Sequence, residues 1–430
     1  MEHIIIVGGG AGGLSLATRL GRHFHRKRTV QVSLIDRSPT HLWKPLLHEV
    51  AAGTIDAAFD ELNFRFHGRR HHFQFIQGSV NAVDPSTRTL TLSEEVYQHG
   101  RTRIPKRELH YDYLVLAVGG VSNDFGVPGA LEHCYFLDSK QQAEQFHSTL
   151  LEYCMGIAHS KQTKPTLNIN IIGGGATGVE LAAELTHTAE ELRQYTSATA
   201  TPVTFRLTLL EAGPRILPAL SEKLSASATK TLEKIGVDVR CGIAVKACRS
   251  DGLETAGGDT LAGDLQVWAA GVKAPGWLSA IEGLQTNNRN QLTVLPDLRC
   301  CGDEHIFAIG DCASLMLPNG GFVPPRAQAA HQMADVAYKN ILRLRKDKSP
   351  KAFHYRDFGS LVSLSRFNTV GGLFGGLACG ELRIGGFLAR IVYLSLYRMH
   401  LVSVHGLVHS LVIAFAARLH RKIKPRLKLH

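Results

Sequence analysis

An apolar run from His3 to Val7 ends in Gly8-Gly9-Gly10-Ala11-Gly12-Gly13. The pattern returns 165 residues later as Gly173-Gly174-Gly175-Ala176-Thr177-Gly178, behind the run Leu167 to Ile172. In a G-x-G-x-x-G turn the first glycine closes a tight strand-to-helix corner, the second lets backbone approach a pyrophosphate, and the third lets helix pack on strand. The helix that follows turns unpaired N–H groups and a positive dipole end toward phosphate. Leu14 to Leu20 reads as such a helix, followed by a strand Val30 to Ile35 that ends on Asp36. In the second copy Val179 to Tyr195 reads as the helix, and Val203 to Leu210 as the strand that ends on Glu211. A carboxylate there takes ribose hydroxyls. One copy is a weak signal, because the pattern is short; two copies with strand, helix and acid in place predict a chain that binds two dinucleotides. Glu211 stands 33 residues beyond Gly178, against 23 from Gly13 to Asp36, so the polar stretch His187 to Pro202 is expected to be a longer helix and loop.

With 430 residues the chain has room for two or three domains. The first strand begins by His3, which leaves no space for a secretory leader, so the expected compartment is the cytoplasm. The eight cysteines form no C-x-x-C pair and no His/Cys metal spacing; they read as reduced thiols, with adjacent Cys300 and Cys301 as strand packing, and no metal is expected. The net charge of +11 is unevenly placed: no acid follows Glu381, where nine Lys and Arg residues lie, and the body carries only about +2. A basic apolar tail points to anionic lipid rather than nucleic acid. Met399 to Ala417 has the length of a membrane span. However, His400, Ser403, His405, Gly406, His409 and Ser410 would be costly in hydrocarbon. On a helix Arg390, Arg398, His405 and His409 fall within one arc of about 100°. The expectation is therefore an interfacial helix pair within 385–417, with Arg418 to Lys428 on the headgroups; a dimer interface or a buried core helix is the alternative.

Further segments exceed what a lone dinucleotide-binding dehydrogenase needs. Tyr111 to Gly120 and Gln266 to Val272, which includes Gly271, are apolar runs ending in small residues; His305 to Asp311 is an apolar strand stopping at Gly-Asp. The set resembles the flavin disulfide-reductase-like architecture. The implied fold class is α/β, with two Rossmann-like dinucleotide-binding domains and a C-terminal amphipathic membrane-binding region. The expected ranges are 1–120 for the first part of the FAD domain, 121–290 for the NADH domain, 291–345 for the FAD-domain return and 346–430 for the membrane region. The resemblance implies that Gly8, Gly10, Gly13, Asp36, Lys44, Val80, Asp311, Ala327 and Gln328 bind FAD, with Asp311 on the ribitol. It implies that Gly173, Gly175, Gly178, Glu211 and Gly271 bind NADH. Glu211 would repel the 2′-phosphate of NADPH, while Arg215, four residues on, would attract it.

A disulfide reductase would carry a redox-active cysteine pair after the first helix. This chain instead reads His41-Leu42-Trp43-Lys44-Pro45-Leu46-Leu47-His48-Glu49-Val50-Ala51-Ala52-Gly53, which resembles the corresponding segment of type II NADH:quinone oxidoreductases. Pro324-Pro325-Arg326-Ala327-Gln328-Ala329-Ala330-His331-Gln332 is similar to that family's proline-led helix on the quinone side of the flavin, with Gln328 and Gln332 one turn apart. Arg326 and Met333 depart from the family's usual Thr and second Gln. Tyr355 to Arg366 and Lys424 to His430 resemble the enterobacterial-type enzyme. The resemblance implies hydride transfer from NADH to FAD, then two-electron reduction of a membrane quinone, ubiquinone or menaquinone, without proton pumping. It further implies Glu180 as proton relay or substrate-positioning acid, and Gln328 and Gln332 as quinone-orienting groups. Attachment would be peripheral, on the cytoplasmic face of a bacterial inner membrane, with a homodimer as one arrangement. Two other readings stay open: a sulfide:quinone oxidoreductase using Cys154, Cys300 or Cys301, and a flavin-binding NADH sensor or interaction protein.

Overall fold

Ile4, Ile5 and Ile6 expose no surface. An unbroken β-branched run of this kind suits a parallel strand covered on both faces. In the computed structural model, which describes residues 1–27, 29–97, 102–158, 165–195, 203–365, 368–374, 381–385, 401, 402, 406, 410–412 and 415, that run is β1 (Glu2–Val7). There follow α1 (Ala11–Phe24), β2 (Val30–Asp36), α2 (Leu47–Ala52), β3 (Gln74–Gln77) and β4 (Tyr113–Leu116). Next come β5 (Tyr135–Phe136), β6 (Thr166–Ile172), α3 (Ala176–Tyr195), β7 (Thr204–Glu211), β8 (Val237–Cys241) and β9 (Leu265–Trp268). The chain continues through β10 (Ile306–Ala308), α4 (Ala327–Leu344), β11 (Ser360–Leu364), β12 (Asn368–Phe374) and β13 (Glu381–Gly385).

These elements form two units. The first comprises Met1–Trp43, Glu61–Val121 and Val272–Arg356; the second comprises Lys44–Asp60, Ser122–Gly271 and Asp357–His430. In the first, five parallel strands stand in the order β10-β4-β1-β2-β3. Val7 lies opposite both Ile35 and Leu116, and Leu116 opposite Ala308, so the carboxyl ends of the strands meet one edge, where open α/β sheets bind ligands. The buried face of α4 is Ala329, Ala330, Met333, Ala334, Ala337, Asn340 and Ile341, at helical three- and four-residue spacing. Small residues let α1 approach closely: a Cβ on Gly12 would stand 3.0 Å from the Ala330 carbonyl oxygen.

The second unit repeats the plan, with parallel strands in the order β5-β9-β6-β7-β8. Leu181, Ala182 and Leu185 of α3 are fully buried. Helix α2 joins this unit because the Thr188 hydroxyl donates to the Ala52 carbonyl at 2.8 Å and Gly53, in the left-handed region at φ +77°, turns the chain where a Cβ would strike the His147 ring. An antiparallel sheet β11-β12-β13 completes the described part.

These boundaries differ from the ranges read from sequence. Residues 44–60 belong to the second unit, while 272–290 and 346–356 belong to the first. Hydrogen bonds give the reason: Asn287 Nδ2 donates to the Ser314 hydroxyl at 3.2 Å, and Phe353 N–H donates to the Pro296 carbonyl at 2.7 Å. The expected helix pair within 385–417 and the basic run Arg418 to Lys428 lie outside the described residues, apart from a few positions. Among those, Leu411, Val412 and Phe415 are more than 60 % exposed. Among the described residues no helix is long and apolar enough to cross a membrane. The seven described cysteines are all free thiols; Cys379 lies outside the described residues.

Helix α4 is anchored by Asn340, which has no exposed surface. Its Nδ2 donates to the carbonyls of Asp297 (3.0 Å) and Lys351 (2.8 Å), and its Oδ1 accepts from Lys351 N–H (2.8 Å). Replacing it leaves three partly buried backbone groups without this partner. Asn340→Ala is expected to cost roughly 2–4 kcal/mol, read as a lower urea midpoint; an unchanged midpoint would show that water reaches these groups.

Candidate active site

The two fingerprints fold into two cradles of the same design. Gly8 has φ +103° and Gly173 +114°; a Cβ would stand 2.3 Å from the Ala117 oxygen at the first, and 2.7 Å from the Ala270 nitrogen at the second. Their N–H groups donate to Ile35 and Leu210, each at 2.8 Å. At the third glycine there is no room at all: a Cβ on Gly13 would lie 1.9 Å from the Gly8 oxygen, and one on Gly178 2.0 Å from the Gly173 oxygen. The middle glycines are the opposite, since nothing lies within 4 Å of a Cβ at Gly10 or Gly175. In turns of this kind such an opening lets backbone approach a pyrophosphate. Neither helix has an acid in its first turn, and the N-cap of α1 makes no side-chain hydrogen bond. An anionic ligand therefore meets no competing carboxylate in either first turn.

The two acids lie where the sequence places them. Asp36 accepts Gly9 N–H at 2.6 Å on Oδ2 and Ser38 N–H at 2.8 Å on Oδ1. Glu211 accepts Gly174 N–H on Oε2 and Gly213 N–H on Oε1, both at 2.7 Å. Each oxygen keeps lone-pair capacity for a ribose hydroxyl. Burial pushes the Asp36 carboxyl up from its ordinary range, against the pull of the Gly9 and Ser38 amides. Arg215 is committed elsewhere: its guanidinium donates to the carbonyls of Leu217, Pro218 and Leu220, which locks the turn after β7. Gly271, at φ +67°, lies under the Phe125 ring, which a Cβ there would meet at 2.5 Å. Phe125 itself is 63 % exposed at φ +52°, and no sequence signal pointed to it.

Other predicted residues separate by unit. In the first, Asp311 occupies a 3-10 turn, Gly310–Cys312, after β10. That turn packs on the start of α4, with Gly310 N–H on the Met333 sulfur at 3.2 Å. Ala327 and Gln328 open α4, whose N-cap Arg326 makes no side-chain capping bond. Val80 begins a separate strand, Val80–Asp84, and is buried. Gln332 is tied down, its amide donating to the Arg356 carbonyl at 2.9 Å and accepting Arg356 N–H at 3.0 Å. His331, between the two glutamines, stacks with Trp43 at 6.1 Å, and burial brings its imidazole down to about 4. In the second unit Lys44 Nζ lies 3.3 Å from Asp138.

Glu180 of α3 is a strongly perturbed acid of the second unit. Burial pushes its carboxyl up to about 8, with the Ser363 amide opposing and Glu49 and Glu184 adding to the rise. Ser363 N–H donates to Oε1 at 2.9 Å, and His48 Nδ1 lies 3.6 Å from Oε2. Burial takes His48 down to about 4, against the hydrogen bond its imidazole donates to the Pro45 carbonyl. At neutral pH this is a neutral acid beside a neutral base rather than an ion pair. Three buried thiols are not primed for attack: burial pushes Cys154 and Cys312 up to about 12, and Cys300 well above its ordinary range.

Residues 2–334 match the pyridine nucleotide-disulphide oxidoreductase family. Over the whole of both chains the protein is 43 % identical to a type II NADH:quinone oxidoreductase of Haemophilus influenzae. The chain belongs to the type II NADH:quinone oxidoreductases. A member from Staphylococcus aureus is 28 % identical over 88 % of this chain and 92 % of its own. Among solved structures, NDH2 of Plasmodium falciparum in complex with NADH has the same fold, with a TM-score of 0.83 at 19 % identity, over 100 % of this chain and 99 % of that one. The sulfide:quinone oxidoreductase of Aquifex aeolicus shares the fold more loosely, with a TM-score of 0.72 at 18 % identity, over 98 % of this chain and 95 % of that one. For a type II NADH:quinone oxidoreductase the high thiol pKa values are no handicap, since the two cradles ask for no cysteine chemistry.

Two outcomes test this geometry. Gly13→Ala is expected to release FAD on gel filtration, whereas Gly178→Ala keeps the flavin absorbance and raises KM for NADH about tenfold, or about 1.4 kcal/mol; the reverse pattern would exchange the two assignments. Between pH 4.5 and 8 the folded chain holds a proton at Glu180 that the unfolded chain releases. This contribution to stability is complete below 4.5 and is lost as pH rises through 8. Glu180→Gln removes the slope, so the Tm of the variant relative to the parent should climb across that window. A flat difference would mean that Glu180 is ionised in the fold.

Proposed function

We propose that this chain oxidises NADH and reduces a membrane quinone through resident FAD, with the first cradle holding FAD and the second the exchangeable NADH. The duplicated cradle carries the reading, because each copy pairs an open middle glycine with a carboxylate set for ribose. When bound, FAD supplies the hydride-accepting and electron-donating chemistry that no side chain of the protein possesses. Gly8, Gly10 and Gly13 admit the pyrophosphate, Asp36 takes the adenosine ribose, and Asp311 takes the ribitol. Lys44, Val80, Ala327 and Gln328 complete the set proposed to hold FAD. Gly173, Gly175, Gly178, Glu211 and Gly271 hold NADH. With Arg215 occupied by its own turn, Glu211 faces a 2′-phosphate without a compensating cation, which favours NADH over NADPH.

Glu180 acts as the proton-handling acid: protonated at neutral pH, it can donate and be recharged. Gln328 orients the quinone, and Gln332 contributes through its grip on Arg356. The basic C-terminal run, with exposed Leu411, Val412 and Phe415 before it, binds anionic lipid of the cytoplasmic leaflet, so attachment is peripheral. The apolar segment 385–417 is also the candidate surface for a homodimer. The quinone is a ubiquinone or a menaquinone.

The test mixes purified protein, FAD, NADH and a short-chain quinone and follows NADH absorbance. Rapid loss with NADH and slower loss with NADPH is expected; no loss overturns the function, and equal rates overturn only the part given to Glu211. Removing residues 386–430 should leave a flavoprotein that oxidises NADH with a water-soluble acceptor and no longer floats with anionic liposomes. Flotation of the shortened chain would place the lipid contact elsewhere.

A further inference from the structure

One face of α3 carries Glu180, Glu184, His187 and Glu191, spaced four, three and four residues apart. That spacing sets them in a row along the helix. The carboxylate side chains of Glu180, Glu184 and Glu191 are 8, 9 and 3 % exposed, and His187 is the most open of the four at 15 %. His187 Nδ1 lies 4.0 Å from Glu184 Oε2, and its Nε2 lies 3.4 Å from Glu191 Oε1. Glu184 is near enough to Glu180 to help raise its carboxyl. Burying ionisable groups costs several kcal/mol each unless charge or protons are shared. A purely structural face would carry apolar residues, as Leu181, Ala182 and Leu185 do beside it.

We propose that this row delivers the solvent proton consumed in each turnover, entering at His187 and passing through Glu184 to Glu180, with Glu191 holding the imidazole. The inference rests on the quinone-reductase reading above. NADH gives up a hydride, which is two electrons and one proton, whereas quinone becomes quinol by taking two electrons and two protons. One proton per turnover must therefore come from water. His187 is the group of the row most open to solvent, and its Nε2 faces Glu191 Oε1. Its other nitrogen faces Glu184 across a gap that a small side-chain rotation or one water closes. Passing the proton on leaves His187 neutral again and Glu180 recharged. The groups around Glu180 suit a terminus: His48 and Glu49 from α2, and the Ser363 amide from β11. His48 is 3 % exposed, and its Nε2 has no hydrogen-bond partner among the described residues. As a ring that stays neutral, it does not draw the proton away.

The experiment uses the full-length holoenzyme and two variants, His187→Ala and Glu184→Gln. Each is assayed with NADH against a short-chain quinone and against ferricyanide, which takes electrons but no protons. The ratio of quinone rate to ferricyanide rate is expected to fall about tenfold or more in both variants. The solvent deuterium isotope effect on quinone reduction should rise, and added imidazole should restore the rate of His187→Ala. A ratio and an isotope effect equal to the parent's would overturn the relay. A variant that loses both rates together assigns its residue to holding the unit together and overturns the relay at that position. A parent enzyme active with ferricyanide but not with quinone overturns the functional reading itself, and the relay with it.

Discussion

In either unit the cradle proposed to hold a nucleotide depends on a helix standing almost on its own incoming strand. At Gly13 and Gly178 the space above the preceding turn admits a hydrogen atom and nothing larger. That closeness aims the first turn of α1 and of α3 at the carboxyl edge of its sheet, and it brings Gly9 and Gly174 within hydrogen-bond reach of Asp36 and Glu211. The acid then does two things at once. It braces the loop from behind while its remaining lone pairs face outward, so the cradle is shaped before any ligand arrives.

This part of the molecule was open to reading from sequence because the physics is local. A strand, a sharp turn, a helix and an acid some tens of residues on follow from backbone geometry that only glycine satisfies. The strand and helix limits accordingly fall within a few residues of the sequence reading, with α3 running Ala176–Tyr195 and β7 Thr204–Glu211. Residues 196–202, the rest of the anticipated loop, lie outside the described residues. The domain limits were less legible. Nothing local marks 44–60 as part of the second unit, since the deciding contact, Thr188 to Ala52, spans 136 residues.

The environment of Glu180 was hidden for the same reason. Its partner Ser363 is 183 residues away, and His48 comes from another helix, α2. Sequence spacing placed Glu180 on a helix but could not tell a solvated glutamate from one buried beside His48 and the Ser363 amide. Arg215 and Gln332 show the same limit from the other side. Both have suggestive side chains at suggestive positions, yet much of their hydrogen-bonding capacity is spent on backbone nearby, Arg215 on Leu217 to Leu220 and Gln332 on Arg356.

The interleaving of the two units constrains how the polypeptide is made. On the ribosome β1 and α1 emerge first, but the sheet they begin lacks β10 until residue 308 has been synthesised, and α4 comes later still. The five strands of the second sheet, by contrast, all lie between residues 135 and 268. The unit that starts second can therefore close its sheet first, while the earlier half-sheet waits with an unpaired edge at β4. Nor does any single cut separate the units, because each is assembled from three stretches of chain.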